Sequence, residues 1–119
     1  MGEEKRQFVR WKDRIQVSYS SEVEKQRIKY RKVFTEDISE TGILISTLEV
    51  LKFGRYIDLR LEFVYDSVPI LVTAKVVHAK RSGDQWNVGL EFVKFDDFGK
   101  QRFMRFLEFI REEHDQKGE

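Results

Sequence analysis

Ile57-Asp58-Leu59-Arg60-Leu61-Glu62-Phe63 decides the fold. Apolar and charged side chains alternate without a break, which puts one face of an extended strand inward and the other in water. The same alternation recurs on both sides. Downstream, Ile70, Val72, Ala74 and Val76 form one set. Trp86, Val88, Leu90 and Phe92 form another, interleaved with Asn87, Gly89 and Glu91, and Ser82-Gly83-Asp84 reads as the hairpin turn between the two. Upstream, Ile15, Val17 and Tyr19 alternate with Gln16 and Ser18. A polar stretch from Ser20 to Gln26 reads as a loop. Ile28 to Thr35 is β-rich but strongly basic, a strand with a wet outer face, and Ile43 to Thr47 is a short apolar strand.

The period then changes. Phe103, Phe106, Leu107 and Ile110 recur at helical spacing, with Phe109 at the margin of the stripe. Asp96 or Asp97 is placed to cap this helix, and the polar tail from Glu112 is expected to fray. The expectation is therefore an all-β protein of about six antiparallel strands followed by one helix. Closure into a barrel removes exposed strand edges. The helix is expected to lay its phenylalanine stripe over an open face or mouth of that barrel, a competing reading being that part of the stripe meets another subunit.

The chain has 119 residues, the size of one domain, with 40% hydrophobic and 13% aromatic residues to build a core. Charged residues reach 36%, yet 22 basic side chains nearly balance 21 acidic ones, for a net charge of +1. That balance disfavours a dedicated nucleic-acid binder, which carries a basic excess. No cysteine is present, which removes disulfides, thiolate metal sites and a cysteine nucleophile. No apolar run approaches the roughly 18 to 20 residues that span a bilayer, and MGEEKRQF has no signal-peptide core. The expectation is a cytoplasmic chain with no membrane insertion. It divides into a mobile arm over 1–14, a barrel over 15–93 and a helix over 96–112.

Two short motifs stand out. Arg6-Gln7-Phe8-Val9-Arg10 precedes the first strand and offers two guanidinium forks, with Phe8 between them as an anchor. A guanidinium grips a phosphate through paired charge-assisted bonds, bonds the O6 and N7 edge of guanine and stacks on a base. Arginines four apart also occur at Arg10/Arg14 and Arg27/Arg31, where solvated surface charge is the simpler account. Asp37-Ile38-Ser39-Glu40-Thr41-Gly42 offers an acceptor-only carboxylate that matches guanine N–H donors, a hydroxyl, and a glycine suited to positive φ and close backbone approach. The plainer account is a turn joining two strands. No catalytic constellation appears. His78 and His114 are the only histidines, and Ser39 has no evident base partner.

In this order the motifs resemble the PilZ domain, a bacterial receptor module for cyclic di-GMP. The family's signatures are an arginine pair at spacing four and a later (Asp/Asn)-x-Ser-x-x-Gly. Both are complete here, with 26 residues between Arg10 and Asp37, and Trp86-Asn87-Val88-Gly89-Leu90-Glu91-Phe92 resembles the family's last strand. The resemblance runs from about Lys5 to Ile110. It implies a six-stranded antiparallel β-barrel with a C-terminal α-helix, in agreement with the periodicity. It also implies that Arg6 and Arg10 hold the phosphates and guanines of cyclic di-GMP, that Asp37 and Ser39 bond a guanine edge, and that Gly42 shapes the loop. The resemblance further implies that Lys5, just before the first arginine, bears on whether one or two ligand molecules bind. His78, Arg81 and Gly89 are lesser candidates: a histidine at the barrel rim and a solvated turn arginine are the simpler readings of the first two.

The function expected is a cyclic di-GMP receptor or adaptor that is not an enzyme and uses no cofactor or metal. Ligand binding would order the arm and change a surface read by an unidentified effector protein, the receptor being a monomer or homodimer. Two alternatives are a PilZ-like interaction scaffold that binds no nucleotide, and a small nucleic-acid-binding barrel using Arg27, Lys29, Tyr30, Arg31 and Lys32.

Overall fold

The alternation around Leu59 closes the sheet. In the computed structural model, which describes residues 15–20, 30–63 and 66–117, β4 spans Tyr56–Phe63 and is paired on both sides. Leu59 faces Tyr19 of β1 (Gln16–Ser20) across one ladder and Val72 of β5 (Asp66–Ser82) across the other. With β2 (Tyr30–Ile38), β3 (Gly42–Thr47) and β6 (Gln85–Phe95), the strands form a closed antiparallel barrel in the order β1-β2-β3-β6-β5-β4. The inward residues Val17, Leu61 and Ile70 form one register row, and Ile43, Leu90 and Val76 another, all essentially inaccessible. Thr35, buried among them, is satisfied by its neighbour: its hydroxyl accepts the Ile15 N–H at 3.0 Å and its own N–H donates to the Ile15 carbonyl at 3.0 Å.

The helix α1 spans Gly99–Lys117. Phe103, Phe106, Leu107 and Ile110 are buried within the chain, whereas Phe109 is exposed, so the core-packing reading of the stripe holds for those four. The Phe103 ring meets Phe92 edge-on at 5.1 Å and lies 5.6 Å from Phe95, which seats the helix on the last strand. Arg102 donates to the Val68 carbonyl and ties the helix to β5.

Several boundaries differ from the sequence reading. The helix expected over 96–112 begins at Gly99 and runs to Lys117. Neither Asp96 nor Asp97 caps it through its side chain: the Asp96 carbonyl accepts the Gly99 N–H at 2.9 Å, and Phe98 enters the helix at a φ of 64°. The polar residues after Glu112 are mostly good helix formers and continue the turns. β2 extends past Thr35 to Ile38, and β5 reaches Ser82, joined to β6 by the two-residue turn Gly83-Asp84 with Gly83 at a φ of 65°. Ser20, read as the start of a loop, ends β1; the rest of that loop, 21–26, the first two residues of the basic strand, 28–29, and the arm over 1–14 lie outside the described residues.

At one end of the barrel the Tyr19 hydroxyl donates to Glu49 at 2.7 Å, and Arg31 pairs with the same carboxylate oxygen at 3.1 Å. Burial, then the Glu49 carboxylate, hold the Tyr19 phenol far above its ordinary value. The neutral phenol is therefore the form the fold stabilises. Its contribution is complete below about pH 10 and is lost as pH rises further, because the unfolded chain releases the proton first. Tyr19→Phe is expected to flatten this alkaline loss, measured by urea unfolding at neutral pH and above about pH 10. Leu59→Ala is expected to cost about 2–5 kcal/mol, seen as a lower urea midpoint.

Candidate functional site

Two β-bulges build the site. On β2, Thr35 pairs with Ile45 but Asp37 with Leu44, so Glu36 is an extra residue. On β5, Val76 pairs with Leu90 but His78 with Gly89, so Val77 is an extra residue. Each insertion reverses which parity faces inward. Thr35 and Ile38 both reach the core, while Asp37 between them turns outward. Val76 faces the core, while Val77 and His78 are exposed. Asp37↔Leu44, Leu44↔Gly89 and Gly89↔His78 are successive register partners, so these four residues form one row across the outer wall of β2, β3, β6 and β5. Three strand spacings separate its ends, about 14 Å of backbone.

Gly89 leaves the middle of the row open. A Cβ there would lie 3.1 Å from the His78 Cβ. The result is a cleft of about 350 Å³ bounded by Asp37, Leu44, Val77, His78 and Gly89, with Thr41, Gly42 and Glu91 at one end. His78 thus stands on the outer wall of the barrel instead of at its rim.

The turn between β2 and β3 holds that end. The Ser39 N–H donates to the Gly42 carbonyl at 2.9 Å. The Ser39 hydroxyl lies 3.3 Å from the same carbonyl, as donor, and accepts the Thr41 N–H at 3.3 Å. Ser39 is fully buried and braces the turn; the cleft itself is lined by Thr41. Gly42 does not use positive φ, which among the described glycines belongs to Gly54 and Gly83. Its requirement is space: a Cβ would sit 2.1 Å from the Leu90 carbonyl oxygen. That close approach is matched by the Phe92 N–H donating to the Thr41 carbonyl at 2.8 Å, which fastens the turn to β6.

The structure therefore brings together Asp37, Gly42, His78 and Gly89. It places Arg81 elsewhere, on the β5–β6 hairpin, where its Nε donates to the Gly83 carbonyl at 3.0 Å and its guanidinium lies 5.8 Å over the Trp86 ring. Lys5, Arg6 and Arg10 lie outside the described residues. Sequence reasoning passed over Leu44, Val77 and Glu91 as lining residues, because their place depends on the bulges. The doubled valine Val76-Val77, which breaks the alternation, was the available signal. Among the described residues, no three His, Cys, Asp or Glu side chains gather as a metal site, and no helix is long and apolar enough to cross a membrane.

The structure is thus a closed six-stranded barrel with an outward cleft beside a braced Asp-x-Ser-x-x-Gly turn. The sequence matches the PilZ domain family over residues 4–109, and the chain belongs to that family. It is a family of cyclic di-GMP receptors and adaptors. The fold is similar to that of the Bacillus subtilis inhibitor of motility MotI/DgrA, with a TM-score of 0.69 at 18% identity over 93% of this chain. The match spans 52% of that protein, so the chain covers about half its length. It is also similar to the PilZ domain of YcgR from Escherichia coli, solved with c-di-GMP, with a TM-score of 0.70 at 11% identity over 97% of this chain and 98% of that one. A tetrameric PilZ protein from Xanthomonas campestris gives a TM-score of 0.56 at 17% identity, over 79% of this chain and 52% of that one. No curated protein matches the sequence.

Gly42→Ala is expected to destabilise the barrel by about 1–3 kcal/mol or more, since a backbone carbonyl, not a flexible side chain, must yield. Chemical denaturation measures it, with Gly54→Ala as the comparison, where a Cβ meets nothing within 4 Å and only φ is strained.

Proposed function

We propose that the chain is a cytoplasmic cyclic di-GMP receptor that acts by binding and performs no catalysis. The observation that carries this reading is the row Asp37–Leu44–Gly89–His78, opened by Gly89 beside the Asp37-to-Gly42 turn. Asp37 suits guanine N–H donors, and Leu44 and the bare Gly89 backbone suit the flat face of a base. Ser39 braces that turn through its hydroxyl and is the second residue proposed to bond the guanine edge.

The electrostatics then call for the arm. The cleft lining contains two carboxylates, Asp37 and Glu91, and no lysine or arginine among the described residues. The dianion needs cations, and Arg6 and Arg10 would supply them from the segment before β1, with Lys5 as a third. Binding would order that segment and so alter a surface that an effector protein reads, an order–disorder switch limited by the ligand's preference for the ordered state.

Calorimetry with cyclic di-GMP on the wild type, Arg10→Ala and Asp37→Ala tests the site. Each lost charge-assisted bond is worth about 1.5–3 kcal/mol, so each variant is expected to bind about tenfold or more weakly. Unchanged affinity in both variants would refute the assignment. Amide hydrogen exchange tests the switch: protection over residues 1–14 is expected to rise when ligand is added, and identical exchange with and without ligand removes the ordering step.

A further inference from the structure

The loop between β3 and β4, Leu48 to Arg55, exposes apolar side chains that the cleft does not use. Leu48 is 77% and Phe53 73% exposed, Val50 is about half exposed, and Tyr56 follows at the start of β4 with a similar exposure. The loop is held in place. Leu51 turns into the core, and the Thr47 hydroxyl donates to the Glu49 carbonyl at 2.6 Å. The Arg55 N–H donates to the Lys52 carbonyl at 3.1 Å, the Gly54 N–H to the Val76 carbonyl at 2.7 Å, and the Val76 N–H to the Arg55 carbonyl at 2.8 Å. Gly54, at a φ of 88°, makes the bend.

Its charges are sorted. Lys52 and Arg55 are exposed, and the Lys75 ammonium lies 5.9 Å over the Tyr56 ring. The only carboxylate between Leu48 and Arg55 is Glu49, and it is drawn to the barrel end by Tyr19 and Arg31. The loop therefore displays aliphatic and aromatic side chains beside cations, with its one acid engaged.

We infer that this loop is a docking tip for an anionic lipid surface. Leu48, Val50 and Phe53 enter the headgroup–acyl boundary, Tyr56 sits at the interface, and Lys52 meets the lipid phosphates. Such contact is peripheral and needs no spanning segment. The lipid surface is the occupant that the charge sorting favours, since Lys52 stands beside exposed aliphatic side chains and the loop's one acid is engaged away from them. The inference is independent of the nucleotide: it concerns a different set of residues from the cleft.

Co-sedimentation of the full chain, without nucleotide, with vesicles of phosphatidylcholine alone or mixed with phosphatidylglycerol tests it. Binding is expected only with phosphatidylglycerol, and is expected to weaken with salt. It should fall at least tenfold in Leu48→Ser/Phe53→Ser and in Lys52→Glu. Thermal unfolding checks that these variants, altered only at exposed positions, remain folded. Absence of binding to anionic vesicles at low salt overturns the inference, as does equal binding by the variants. A wild-type dimer that Leu48→Ser/Phe53→Ser converts to monomer in sedimentation equilibrium also overturns it, and assigns the tip to a second copy of the chain.

Discussion

The pairing of β3 with β6 is the constraint on which the rest depends. These strands are far apart in sequence, and their ladder lets the Gly42 backbone lie against the Leu90 carbonyl, where no Cβ fits. The contact brings the β2–β3 turn onto the last strand, where Phe92 donates to the Thr41 carbonyl. It also sets the register in which Leu44 faces Gly89, so that a turn made of short-range hydrogen bonds becomes one end of a cleft spanning four strands. Barrel closure between β1 and β4 then protects the ladders from edge pairing.

The bulges at Glu36 and Val77 convert this regular wall into a site. A perfectly alternating β2 that sends Thr35 inward would also send Asp37 inward, where an ionised carboxylate is costly. One extra residue lets Thr35 and Ile38 both fill the core while Asp37 faces out. The insertion at Val77 does the same for His78 on the opposite side, with Val76 and Ala79 packed inward around it. The two ends of the binding row are thus produced by one device used twice.

Those particulars separate what the sequence disclosed from what it did not. Period-two runs around Leu59, Val72 and Leu90 located their strands, and the spacing of Phe103, Phe106, Leu107 and Ile110 located the helix, because burial of one face leaves a local pattern. The proximity of Asp37 and Gly42 along one turn, both now lining one cleft, was legible as an ordered motif. Three features were not. The helix start depends on the left-handed turn at Phe98, a residue type that gives no warning of positive φ. The burial of Ser39 within the turn it braces depends on tertiary closure and leaves no mark in the motif itself. Arg81 stays on its hairpin, over Trp86, because a cross-strand neighbour and a turn carbonyl are nearer than the cleft.

The cleft's charge gives the site its logic. Asp37 and Glu91 line the cleft, and in the proposed site their acceptor oxygens would suit a guanine edge rich in N–H donors. In the proposed receptor, recognition and affinity would be divided between two parts of the chain: a fixed wall would select the base, and the arginine motif would supply the charge. A receptor of this proposed kind would not hold its dianion strongly with the wall alone. The proposed ordering of residues 1–14 would then be a condition of tight binding and not its by-product, which makes the position of that segment a faithful report of ligand for whatever reads it.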